Sequence, residues 1–259
     1  MSLLNVWREW EIGSPPYILK GDDVLLSRAG ADSRIAVNPS RESYTQRDDF
    51  GRPGDIRLHL NLIPIPFVGD LARARIVVLL LNPGLEPDDY FAEFTVPGFR
   101  DRLLDNLRQE FKHPRYPFVY LDPALSWHSG YRWWHGKFQG LIAALSATWG
   151  TTYADSRARF AQLLACIELV PYHSVNYRLS SAIRRELRSV RIAREYVHEV
   201  LWPRSQTGEI LIIVTRHTAE WGLSESSHVI AYAGSETRAA HLTPASRGGR
   251  RILEFAREL

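Results

Sequence analysis

The side chains best suited to chemistry in this 259-residue chain fall in four short segments. These are Asn82-Pro83-Gly84-Leu85, then Pro171-Tyr172-His173-Ser174 with Glu168 just upstream, then Arg216-His217, and finally His241-Leu-Thr-Pro-Ala-Ser246. An amide, a carboxylate and imidazoles can orient a water, stabilise a departing anion or read the polar edge of a ligand. Each segment follows a run that reads as a buried strand, and open α/β sheets bind ligands beyond the carboxyl ends of their strands. Both blander uses stay open at this point. Asn, Pro and Gly are ordinary turn formers, and a histidine after a strand is more often a hydrogen-bonded structural residue than a catalyst.

The elements that must position these residues are legible in the hydrophobic pattern. Ile76 to Leu81 is a continuous aliphatic run closed by Asn-Pro-Gly, as expected of a central parallel strand covered on both faces. Leu164–Val170 and Ile210–Thr215 are two more strands, and Val229–Ala233 is a weaker fourth. Ile56, Leu58 and Leu60 alternate with polar residues, which predicts a half-exposed strand. Helices are expected near 99–111, 134–148, 155–163, 181–202 and 249–259. The 181–202 helix should carry an apolar stripe (Ile183, Leu187, Val190, Ala193, Val197, Leu201) opposite Arg184, Arg185, Arg188 and Arg191. Strands alternating with helices predict an α/β fold, a three-layer αβα sandwich with a mainly parallel central sheet. Residues 1–55 read as an irregular extension packed on a 56–259 domain.

Composition excludes several classes. A chain that is 45% hydrophobic and 24% charged is globular rather than disordered. No apolar run approaches the roughly 20 residues of a membrane span, and no secretory pattern opens the chain, so a cytoplasmic protein without membrane contact is expected. One cysteine, Cys166, excludes an internal disulfide and a four-cysteine metal site. The net charge is +3, but only Lys20, Lys112 and Lys137 are lysines, so the positive charge is almost all arginine, which suits phosphate and base stacking. Phosphate loops, dinucleotide fingerprints, nucleophile elbows and His-Glu-x-x-His are missing. No metal or other cofactor is implied. The aromatic residues Tyr90, Phe91, Phe94 and Phe99, and the segment Tyr131-Arg-Trp-Trp-His135, can pack a core or stack on bases.

The run Pro66-Phe-Val-Gly-Asp70, then Ala74, then Ile76 to Leu81 and Asn82-Pro83-Gly84-Leu85, resembles the opening of the uracil-DNA glycosylase superfamily, in its mismatch-specific branch above all. His241-Leu-Thr-Pro-Ala-Ser246 is similar to that superfamily's second motif, His-Pro-Ser-Pro followed by a DNA-wedging loop. The resemblance spans about residues 64–259 and implies a uracil-DNA glycosylase-like fold. It implies that Asn82 holds the attacking water and that His241 stabilises the departing base. Arg247, Gly248, Gly249, Arg250 and Arg251 fall on the wedge and phosphate-binding loop, and Arg216 joins the DNA-facing arginines. Pro83, Gly84, Phe91, Phe94, Glu168, Tyr172, His173 and Ser174 become the base-binding set. Departures matter: Leu80 replaces the first glycine, Leu242-Thr243 replace Pro-Ser, and Glu168 stands about where a base-reading asparagine is expected. A carboxylate accepts hydrogen bonds only and disfavours the mixed edge of uracil. Trp133-Trp134 and Pro171 to Ser174 match an uncharacterised bacterial branch.

The expected function is therefore cleavage of the N-glycosidic bond of an unusual or damaged base in DNA, with DNA or a nucleotide-like molecule as partner. A catalytically inactive nucleotide- or nucleic-acid-binding protein of the same fold is the alternative. A hydrolase using His173 and Glu168 on a small molecule is a third reading.

Overall fold

The computed structural model describes residues 2–30, 35–36, 41–48 and 54–259, and side chains at 29, 30, 35, 36, 43, 238 and 239 are left aside. The chain divides into two compact units. Unit 1 comprises Met1–Phe67, Leu81–Glu110 and Glu168–Tyr196, and unit 2 comprises Val68–Leu80, Phe111–Ile167 and Val197–Leu259. Among the described residues no helix is long and apolar enough to cross a membrane.

Unit 2 holds a five-stranded, mainly parallel sheet with helices around it. Strands β1 (Ile35–Ala36) and β2 (Leu58–His59) form a separate parallel pair in unit 1. Strands β3 (Phe67–Val68), β4 (Ile76–Leu80), β5 (Leu164–Glu168), β6 (Leu211–Val214) and β7 (Val229–Ala231) form the larger sheet in the order β3-β5-β4-β6-β7. Its end residues Phe67 and Glu168 count with unit 1. Ile76 lies opposite Leu211 and Ile213 opposite Ile230, both in parallel register. All five residues of β4 are buried, as its aliphatic composition requires of a strand covered on both faces. The two-residue β3, hidden between Pro66 and Gly69, has no alternating pattern to announce it. Gly69 follows it at φ +98, where an added Cβ would lie 2.5 Å from the Leu164 carbonyl oxygen, so only glycine fits.

Helix Ser129–Trp149 is the longest of unit 2. It is capped by the His128 side chain on the Gly130 N–H and ended by Gly150 at φ 62. Helix Arg247–Arg257 starts at Ser246, whose hydroxyl accepts the Gly249 N–H. The Trp149 indole N–H donates to the carbonyl of Ala256, tying these two helices together.

Unit 1 corrects three expectations. The amino-terminal region is not irregular throughout, because it contains helices Leu3–Arg8, Asp23–Gly30 and Arg41–Thr45. Of the polar stretch 38–54, residues 38–40 and 49–53 lie outside the described residues. The 56–60 segment is not a half-exposed strand. Arg57, His59 and Asn61 are as buried as Leu58 and Leu60, and what makes their burial tolerable for Arg57 and His59 is the carboxylate of Asp55 (below). The 181–202 helix breaks at Leu187, whose backbone is extended (φ −58, ψ 131), into Ser181–Glu186 and Arg188–Tyr196. The apolar stripe from Leu187 onward is buried as the periodicity predicts. Arg184, however, turns inward, donating to the Leu179 carbonyl at 3.1 Å and lying over the Tyr177 ring. The opposite face is thus not a continuous run of solvated arginines.

Candidate functional site

Asn82 is two residues beyond β4, and its side chain is fixed more firmly than a turn former requires. Its Nδ2 donates to the Pro83 carbonyl (2.8 Å), to the Ser174 hydroxyl (2.9 Å) and to the Tyr172 carbonyl (3.2 Å). Two of these acceptors are carbonyls, so the nitrogen must point there and the orientation of the amide is set by chemistry. Oδ1 is left as an acceptor on a half-buried side chain, with no bond to any described residue.

The segments 82–84 and 172–174 interlock through further bonds. The Ser174 N–H donates to the Pro83 carbonyl at 3.4 Å. His173 is buried, with Nδ1 2.9 Å from the Gly84 oxygen and Nε2 3.2 Å from the Ile63 oxygen. Burial lowers its pKa to about 4, against the opposing pull of those two carbonyls. A neutral imidazole carries one N–H for two acceptors, so it straps Gly84 or Ile63 at any moment. Neither nitrogen is left for a substrate, which removes the reading of His173 as a general base. Tyr172 is likewise built in: its hydroxyl donates to Asp22 (2.7 Å) and accepts the Leu19 N–H (3.2 Å). Burial, reinforced by Asp22, holds the Tyr172 phenol well above its usual 10, and burial raises Asp22 in turn.

Two buried carboxyl groups that the sequence did not single out support the same segments. Glu93 accepts the Ile63 N–H with both oxygens at 3.1 Å, and Arg100 stands 3.7 Å away. Burial raises its pKa to about 8, opposed by the Ile63 N–H and by Arg100. Asp55 accepts from the Arg57 backbone and guanidinium and lies 3.0 Å from His59 Nε2, while His59 Nδ1 meets the Tyr90 hydroxyl at 3.1 Å. The His59 N–H donates to the His173 carbonyl. The i, i+4 spacing of Asp55 and His59 was the one sequence signal that could have flagged this network.

The remaining candidates are distributed as follows. Glu168 is buried at the end of β5. Pro83 and Gly84 offer their carbonyls to Asn82, Ser174 and His173 as above. Phe91 and Phe94 sit on helix Pro87–Thr95, 41% and 42% exposed, with the Arg41 guanidinium 5.3 Å over Phe91. Tyr90 and Phe99 are core residues, Tyr90 being stacked on Tyr44. All of these belong to unit 1. His241, Arg216, Arg247, Arg250 and Arg251 belong to unit 2. The His241 ring is exposed and makes no hydrogen bond to a described residue, and its carbonyl accepts from the Tyr232 hydroxyl. Arg216 is exposed. Arg247 is engaged by Glu225, Glu236 and the Ala231 carbonyl. Arg250 donates to the Ala245 carbonyl and Arg251 to the Ser227 carbonyl.

No protein-family model, curated protein or solved structure matches the chain.

Proposed function

We propose that the chain is a uracil-DNA glycosylase-like N-glycosyl hydrolase, acting on an unusual or damaged base in DNA. The observation that carries this reading is the anchored Asn82 amide: three acceptors hold its nitrogen and leave Oδ1 to accept a hydrogen bond from a water. Breaking an N-glycosidic bond develops cationic character on the sugar and negative charge on the base. Such a reaction needs an oriented water more than a strong base. An amide orients water without removing its proton, so turnover should be slow. In this reading Tyr172, His173 and Ser174 frame the Asn82 loop. Glu168, Phe91 and Phe94 are assigned to reading and stacking the base. The base must be flipped or unpaired for its edge to be read. The three-layer glycosylase architecture and a role in DNA repair belong to the same proposal.

Oligonucleotides carrying uracil, hypoxanthine or alkylated bases, assayed for alkali-labile abasic sites, test it. Asn82→Ala should lower base release about 100-fold or more. Absence of any release that depends on Asn82 rejects the reading. The second reading, a binding protein of the same fold without catalysis, is favoured by the internal engagement of Arg247, Arg250 and Arg251, which a DNA-wedging loop would keep free. Ligand binding without base release, insensitive to Asn82→Ala, is its signature.

A further inference from the structure

Four side chains of unit 2 close a quartet between two successive helices. Tyr131 and His135 are four residues apart on helix Ser129–Trp149, and Tyr153 and Arg157 are four apart on helix Tyr153–Leu163, so each pair shares one helix face. The pairs bond crosswise. His135 Nε2 lies 2.8 Å from the Tyr153 hydroxyl, and Arg157 Nη1 donates to the Tyr131 hydroxyl at 3.3 Å. Tyr131 and His135 stack, with ring centroids 5.1 Å apart. The Arg157 guanidinium also lies 5.9 Å from the Tyr116 ring centroid.

No carboxylate among the described residues answers the Arg157 charge. Arg157 is half-buried, its neighbours are phenols, and its Nε is buried without a hydrogen-bond partner. Asp155, two positions before it, is bonded to Arg115 at 2.9 Å, and residues 123–154 hold no Asp or Glu. A cation held partly out of water without a counter-charge is costly, so folding alone gives no reason to keep it there. The protons of the quartet point the same way. Having accepted from Arg157, the Tyr131 hydroxyl still has its own proton to donate. Burial, with Arg157 nearby, lowers the His135 pKa, so the imidazole is neutral near pH 7. In the tautomer that donates from Nε2, the Tyr153 proton is free as well. His135, Tyr153 and Arg157 are each partly exposed, so a solute can reach them.

We propose that Arg157, Tyr131 and Tyr153 bind a phosphate group, with His135 positioning the Tyr153 hydroxyl. A guanidinium suits phosphate. A tetrahedral oxyanion has an oxygen for donors arriving from both helices, whereas a planar carboxylate is filled by the guanidinium alone. The site uses none of the residues of the glycosylase reading and stands whether or not bases are released.

Isothermal titration calorimetry of the full chain with sodium phosphate, at neutral pH and an ionic strength held constant with NaCl, tests this site. Saturable binding is expected. Arg157→Gln should weaken it about tenfold or more, and Tyr131→Phe about fivefold. Arg159→Gln removes the same charge from the same helix, at a residue lying 4.2 Å from the Trp149 ring centroid, and should bind as the unaltered protein does. Melting separates a ligand site from a structural one. In chloride alone Arg157→Gln should melt no lower than the unaltered protein, and added phosphate should raise the Tm of the unaltered protein only. No saturable binding, equal affinity in Arg157→Gln, or a Tm lowered equally in that variant with and without phosphate would overturn the proposal. Competition by an oligothymidine without terminal phosphates would identify the group as a nucleic-acid backbone phosphate, and lack of competition as a free or monoester phosphate; both results keep the site.

Discussion

Replacing Glu93 with glutamine should abolish a fall in stability between pH 6.5 and 8. Burial takes Glu93 from 4.5 to about 8, so across that interval the folded chain keeps a proton that the unfolded chain has released. Stability that is complete below pH 4.5 is therefore lost as pH rises toward 8. His173 works in the opposite sense. Burial takes it from 6.5 to about 4, so its contribution is present above pH 6.5 and is lost as pH falls toward 4. Each group changes stability by about 1.4 kcal/mol per pH unit within its own window. Between pH 4.5 and 6.5 the two slopes oppose one another and nearly cancel. Above 6.5 Glu93 acts alone of the pair, and stability should drop by about 2 kcal/mol by pH 8. The substituted amide would still accept the Ile63 N–H and has no proton to lose. Glu93→Gln should then gain about 3 kcal/mol from pH 4 to 6.5 and stay flat beyond it. Urea unfolding followed by tryptophan fluorescence at half-unit pH steps measures both curves. Parallel curves for the two proteins between pH 6.5 and 8 would refute the assignment of a buried, largely protonated Glu93.

Other perturbations probe the frame around the candidate residues. Gly69→Ala forces a Cβ against the Leu164 carbonyl at a positive φ, and should lower stability by about 3 kcal/mol or more in thermal unfolding. Asp55→Ala leaves Arg57 and His59 buried without their shared carboxylate. A loss of about 3–5 kcal/mol is expected, against little change if the network is not formed. Tyr232→Phe removes the hydroxyl that donates to the His241 carbonyl and accepts the Gly248 N–H. It should cost about 1–3 kcal/mol and speed amide hydrogen exchange at Gly248.

The sequence disclosed the parts of the candidate site that depend on local pattern. The aliphatic run ending in Asn82 had to be a buried strand, and the chemistry-bearing residues had to follow it. The Pro171–Ser174 segment was placed by the same argument. What could not be read was which atoms those residues engage. His173 looks the same in sequence whether its nitrogens face a substrate or two backbone carbonyls. Tyr172 gives no hint of Asp22, 150 positions away in the chain.

By itself, then, the amino-acid sequence determined the α/β class, the four principal strands and the helices Phe99–Arg108, Ser129–Trp149, Tyr153–Leu163 and Arg247–Arg257, because apolar periodicity and turn residues act over a few positions, while the short helices Pro87–Thr95, Thr218–Trp221 and Ser235–Ala239 gave no such signal. Only the tertiary structure decided that residues 57–61 are buried on both sides while Ile56 is exposed, that Arg184 turns inward where the helix breaks at Leu187, and that Arg247 is neutralised by Glu225 and Glu236. In each case a side chain is fixed by the particular groups it meets, which apolar periodicity does not encode, and for Arg57, His59 and Arg184 the cost of burying a polar group unpaired sets where it lies. The Asn82 turn shows both halves. Its position was set by the strand before it, and its fixed amide by the Tyr172–Ser174 segment some 90 residues later.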